Sequence, residues 1–289
     1  MRHRNRPATR VRSGASPGIR LRDYAAAEFA HAIACLAWRG ARMHAGVHQA
    51  RKSIRRVRAT LALGMPALGP GAALIDRELR RVNRGTSKLR DAQALVTTLD
   101  LLLGKHNAAD PALALRRARR AAARTRAECA RALLATDPDL HDRRARLTTL
   151  LAALPALPWS AITAADVHAA LQRSHARAEA AGSRARASRR DADWHRWRRR
   201  ARRRSQQHRA LDDFAAIPHP ARKRDKRLAV LLGEAQDCAL LREHLDKGSP
   251  FVRADRPLLH ALTERRAERL RGRIARTVAD PLRSQRTKS

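Results

Sequence analysis

Apolar residues recur along this chain at helical spacing, and we read no strands in it. The first helical pattern runs from Leu21 to about Met43, with Phe29, Ile33, Leu36 and Ala37 in register. Gly46 marks a junction before a second helix over Val47 to Leu63, which the cluster Gly64, Pro66, Gly69, Pro70 and Gly71 is expected to end in a turn. Helices are predicted over Ala73–Arg84, Ser87–Leu103 and Pro111–Leu134, followed by a midpoint of Asp137, Pro138 and a Leu-rich stretch to Pro158. The second half is read as Ala164–Arg184, Trp194–Leu211, Ala221–Leu232, Glu234–Leu245 and Arg256–Val278. The apolar runs Ala59–Ile75 and Leu147–Trp159 carry glycine or proline breaks, so neither is expected to span a bilayer as a continuous helix.

Landmarks in the two halves echo each other. His48-Gln49-Ala50-Arg51-Lys52 is repeated as His195-Arg196-Trp197-Arg198-Arg199, and Arg90-Asp91 before Leu95 as Gln236-Asp237 before Leu241. His to Asp is 43 residues in one copy and 42 in the other. The expected organisation is a basic tail at 1–20, repeat one at 21–137, repeat two at 159–280, and a second basic tail at 281–289. Residues 1–22 are Arg-rich without an acid, a pattern that transit peptides share with disordered tails; we assign the tail.

Charge turns this helical scaffold toward a partner. Lys and Arg number 63 against 26 Asp and Glu, a formal +37, and self-repulsion of that size calls for an anion. Arginine dominates, and its planar fork matches phosphate oxygens. Aromatics, at 3%, are too few to suggest base stacking. The cysteines Cys35, Cys129 and Cys238 have no paired spacing, so buried thiols in a reducing compartment are expected.

The charge is also patterned. His48, Arg51, Lys52 and Arg55 sit at i, i+3, i+4 and i+7, one stripe over about 10 Å of helix, opposite Val47, Ala50, Ile54, Val57 and Leu61. Such a stripe could engage successive phosphates at once. His195, Arg198, Arg199 and Arg202 repeat it, but over Trp194, Trp197, Ala201, Arg204 and His208, a poor apolar face. That helix is therefore expected to be mobile after its first turns, or to turn its basic end to solvent. Further stripes follow at Arg77, Arg80, Arg81, Arg84 and Lys88, and at Lys223, Lys226 and Arg227, which would meet the first pair if the helices pack side by side.

A single basic stripe is ordinarily a solvated face; repetition at matched spacing argues otherwise. Asp91 and Asp237 read as helix caps or as ion-pair partners that position an arginine. His44 and His48 have the spacing of metal ligands, but Gly46 lies between them and no third ligand follows, so no metal or cofactor is expected. His48 or His195 acting in phosphoryl transfer would need clustered acids or a phosphate-cradling glycine loop. We expect no enzyme, and rank a phosphatase or phosphotransferase last.

The motif H-x-x-R-[KR]-x-x-R with a later R-D or Q-D before a Leu resembles the conserved histidine α-helical domain, the CHAD family, from about Leu21 to Val278. The resemblance implies an all-α fold of two pseudo-symmetric four-helix bundles around a central basic groove or channel. It implies binding of inorganic polyphosphate without hydrolysis. Carried over, the binders are His48, Arg51, Lys52, Arg55, Arg58 and Arg90, with His195, Arg198, Arg199, Arg202 and Arg203; Gln236 stands where the first copy has Arg90. The tunnel-fold triphosphatase fused to some members carries E-x-E-x-K, which does not occur here. A cytoplasmic bacterial protein at polyphosphate granules follows as the expectation. DNA or RNA binding is the alternative, with nucleic acid a weaker competitor for the same cations.

Overall fold

The computed structural model describes residues 16–105, 109–188, 190–211, 220–246 and 250–279, and among these there are nine α-helices and no strand. The all-α class is as expected. The expected tails lie outside the described residues, except for 16–20.

Helix α1 (Pro17–Leu36) begins inside the expected tail. Ser16 Oγ accepts the Ile19 amide at 3.4 Å, and Pro17 stands at a position where its missing N–H costs nothing. Gly18 lies so close to the Trp159 carbonyl that no Cβ would fit, which fixes this first turn in the core. The helix stops at Leu36, well short of Met43, because α2 (Met43–Arg84) crosses there with Gly46 against the Cys35 carbonyl.

The expected turn at Gly64–Gly71 does not form. α2 runs on through it, kinked at Gly69, whose φ of 68° suits glycine. Pro70 then starts the next helical segment, where a proline is tolerated. The apolar middle of α2 is core: Leu61, Leu63, Leu68 and Ala72 are buried. The chain breaks later, at Gly85 and Thr86, before α3 (Ser87–Leu103).

α4 (Ala109–Thr136) follows, then α5 (His141–Ala153), a helix in the stretch read only as a Leu-rich midpoint. α5 packs on α1 through Leu147 and Leu150. The second half contains α6 (Ala164–Ser188), α7 (Asp191–Ala210), α8 (Pro220–Asp246) and α9 (Arg256–Ala279). α8 passes straight through Gly233, where two helices were expected; a lone glycine costs a helix only about 1 kcal/mol.

The apolar cores do not part at the midpoint. The largest joins α1, α2 and α5 to Trp159, Ile162, Val167 and Ala170. A second packs Leu95, Leu99 and Leu102 of α3 and Leu115 of α4 against Leu241 and Leu245 of α8 and Leu259 of α9. A third holds Trp197, Ala201, Leu228, Leu231 and Ile274 around the buried Cys238. Because α3 and α8 are sewn together, α2 and α7 are brought against each other. Cys35 is buried as expected, whereas Cys129 is only half-buried, and all three thiols are free.

Candidate polyanion groove

The underside of α2 is as the periodicity predicts: Val47, Ala50, Ile54, Val57 and Leu61 are buried. Its cationic side is not simply solvated. Arg51, Lys52 and Arg55 are half-buried because α7 lies across them, while His48 stays open at the rim. Thr60 of α2 and Gln207 of α7 are both fully buried.

α7 does not fray after Arg204. That side chain is buried and hydrogen-bonds Asp225 of α8, Glu179 at 3.0 Å and His175 Nδ1 at 2.8 Å. His208 adds Nε2 to the Asp225 carboxylate at 3.3 Å. Burial alone would raise the Asp225 carboxyl; hydrogen bonds from His208 and Arg204, with the Arg204 charge, hold it below its usual value. A charge network thus replaces the missing apolar face, and the helix stays formed to Ala210.

Five arginines converge between the halves: Arg51 and Arg55 of α2, Arg90 of α3, and Arg198 and Arg202 of α7. Each weakens its neighbours' hold on a proton, after burial, which is the larger cause. Arg51 and Arg202 fall to about 10 and Arg198 to about 9, so these three remain charged at neutral pH. Arg51 is held by neutral acceptors, the Asn83 carbonyl and Thr86 Oγ1 at 2.7 Å, at the break between α2 and α3. It makes no ion pair among the described residues, although the Asp91 charge acts on it.

Two carboxylates enter this cluster, and both are engaged. Arg90 binds Asp91 at 2.6 Å and, across the halves, Asp237 of α8 at 2.9 Å. Arg198 approaches Asp237 at 3.6 Å. The structure makes both aspartates ion-pair partners. Arg55, Arg202 and Lys52 have no hydrogen bond or ion pair among the described residues.

The histidines face the same place. Burial, then the charges of Lys52, Arg55, Arg90 and Arg51, pull His48 down to about 4. His195 pairs its Nδ1 with Gln236 Oε1 at 3.1 Å. Burial lowers it, the Gln236 hydrogen bond opposes, and Arg198, Arg199 and Arg202 lower it further.

Beside this cluster Asp76 gathers Arg58 at 2.7 Å and Arg80 at 2.6 Å, and the Arg58, Asp76 and Arg80 charges act on Arg203; Arg199 is exposed. The outer stripes do not meet the inner ones as expected. α2 buries Ile75, Leu79 and Val82, so Arg77, Arg81, Arg84 and the following Lys88 are exposed, with Arg81 turned to Glu78 at 3.0 Å. Lys223, Lys226 and Arg227 are likewise exposed, opposite the buried Asp225, Leu228 and Leu232. Only Arg80 reaches the groove residues. The sequence reading missed Arg209, whose charge acts on Lys52, although it continues the register of His195, Arg198 and Arg202 two turns on.

The CHAD domain family matches residues 23–246. This chain belongs to the CHAD family. Binding of polyphosphate is a known property of that family. Among solved structures, PptA from Streptomyces chartreusis is 17% identical, with a TM-score of 0.67 over 92% of this chain and 100% of that one. The crystal structure of the CHAD domain from the plant Ricinus communis is 19% identical, with a TM-score of 0.67 over 95% of each chain. At these identities the likeness is one of fold. No curated protein matches the sequence.

Proposed function

We propose that the groove between α2 and α7 binds inorganic polyphosphate and holds it without hydrolysis. The observation that carries this reading is the pair Arg55 and Arg202. They lie half-buried, one from each half, with the Arg202 charge acting on Arg55; neither makes an ion pair among the described residues, and the Asp237 charge reaches Arg202 only from beyond ion-pair distance. Burying like charges is unfavourable unless an anion completes the site. An unbranched phosphate chain is thin enough to reach them from the open end of the crossing, and each phosphate brings oxygens for bidentate arginine contact. A duplex would touch the rim alone.

Both groove carboxylates are occupied by Arg90 and Arg198, so the site offers donors rather than a free acid or base. A protein that binds without turnover is suited to be carried to polyphosphate granules. The test is competition between long-chain polyphosphate and duplex DNA at equal phosphate concentration in physiological salt. Polyphosphate is expected to win, and equal affinity would remove the groove reading in favour of diffuse charge. Phosphate release from the complex with added magnesium would remove the non-enzymatic reading.

A further inference from the structure

We infer that a polyphosphate chain leaving the groove continues over an arginine shelf on the second half, built by Arg177 of α6 and by Arg196 and Arg200 of α7, with Arg203 as the junction. This rests on the groove reading and adds to it a direction of exit and a preference for long chains.

The shelf follows from how α6 and α7 pack. Trp197 lies against Gly182, while Arg204, two turns further along α7, reaches back to His175 and Glu179. The helices are therefore antiparallel, and Arg177 falls alongside Arg200. At i, i+4 and i+7, Arg196, Arg200 and Arg203 share one side of α7 over about 10 Å. Arg177 and Arg196 are exposed, and Arg200 and Arg203 half-buried. None of the four has a hydrogen bond or ion pair among the described residues.

Acids beside the shelf are engaged elsewhere: Glu179 by Arg204, Asp76 by Arg58 and Arg80, and Asp193, one turn before Arg196, by the Ser188 hydroxyl at 2.6 Å. Burial, then the charges of Arg177, Arg199 and Arg196, loosen the proton of Arg200, as close packing of unpaired cations requires. Burial, then Arg58, does the same at Arg203, which ties the shelf to the groove's edge.

The first half has no such shelf. Counted from the two histidines, Gln49 stands for Arg196, the buried Ser53 for Arg200, and Arg56 for Arg203; Arg56 is neutralised by Glu28 at 2.9 Å. At the matching positions of α2, therefore, a bound chain finds no unpaired cation among the described residues.

The experiment is calorimetric titration of the full chain with triphosphate, which fits within the groove, and with long-chain polyphosphate. For Arg177→Gln/Arg196→Gln/Arg200→Gln, triphosphate affinity should hold, while long-chain affinity falls about tenfold and its salt dependence becomes shallower by about 2 in log–log slope. Long-chain affinity within about twofold of the parent, with helicity intact by circular dichroism, would overturn the shelf. Equal loss for both ligands would overturn it too, as would loss of duplex DNA binding alone, which would make this a nucleic-acid face. Arg196→Gln, at an exposed position, serves if the triple variant folds poorly, and should cost about twofold to threefold on long chains only. Arg55→Gln/Arg202→Gln is the control for the groove. If that variant keeps triphosphate binding, the groove reading fails, whatever the shelf variant does.

Discussion

Beneath the His48 stripe of α2 lies Val57, fully buried, whereas beneath the His195 stripe of α7 the matching place holds Arg204, paired with the buried Asp225 of α8. The two halves thus present the same cationic face on different foundations. In the first, apolar burial anchors the helix. In the second, where eleven of the twenty-one residues from Arg184 to Arg204 are arginine, a buried ion network does so. Such a network keeps a helix in place yet breaks badly when one member is lost, because the survivors are stranded without water. The second foundation should therefore be the more pH-sensitive of the two.

The largest expected effect comes from breaking that network. Asp225→Ala takes the buried carboxylate away from Arg204 and His208, leaving Arg204 to Glu179 and His175, and should cost about 3–5 kcal/mol, a fall in Tm on the order of 10 °C by calorimetry. Arg204→Val/Asp225→Leu gives α7 an apolar underside like that of α2 at Val57 and should recover most of that loss. If the double variant is no better than Asp225→Ala alone, the two undersides are not interchangeable. The carboxyl of Asp225 is depressed in the fold, so its contribution is present above the unfolded carboxylate pKa and is lost as pH falls through the folded value.

Next in size is the unmatched pair Arg90 and Gln236. Arg90→Ala leaves Asp91 without its ion pair and Asp237 with Arg198 alone, and should weaken polyphosphate binding about tenfold or more in titration calorimetry. Gln236→Arg gives the second half the first half's residue. It should tighten binding a few-fold and steepen the salt dependence by about 0.7. Weaker binding in that variant would show that the His195–Gln236 hydrogen bond matters more than the charge.

The smallest effect is the histidines' response to pH. His48 is neutral in the free protein at neutral pH, with its pKa near 4. A polyanion favours the protonated form, so binding takes up a proton and affinity should rise as pH falls from 8 toward 5, levelling off near 4. In the unliganded protein the same depression works the other way: stability declines as pH drops below about 6.5, the unfolded value. Titration calorimetry in buffers of different ionisation enthalpy should detect the proton uptake, and His48→Asn should remove most of it. Uptake unchanged in that variant would assign it to His195.

The stripes and their apolar underside in α2 were legible in the sequence, because each is set by spacing along one helix; for Asp91 the sequence left a helix cap or an ion pair open, and the structure pairs it with Arg90. What the glycines do was not. Gly69 bends a helix, Gly85 helps end one, and Gly233 does neither; the outcome depends on what packs there, as Ile162 does against Gly64. Arg204 misled for a related reason. Its partners His175, Glu179 and Asp225 lie on other helices, out of reach of any periodicity, so a buried network looked like a failed face. The outer stripes on Arg77 and Lys223 kept register but faced solvent, since register alone does not say which side another helix will cover.

The central claim is that the groove made jointly by the two halves, and not the total of +37, selects the ligand. It is tested most directly by comparing Arg55→Glu/Arg202→Glu with Arg77→Glu/Arg227→Glu, an equal charge change at exposed positions on the same chain. Long-chain polyphosphate affinity in physiological salt should fall by about a hundredfold or more in the first and by no more than a few-fold in the second, with both folded by circular dichroism. Equal losses in the two variants would contradict the account.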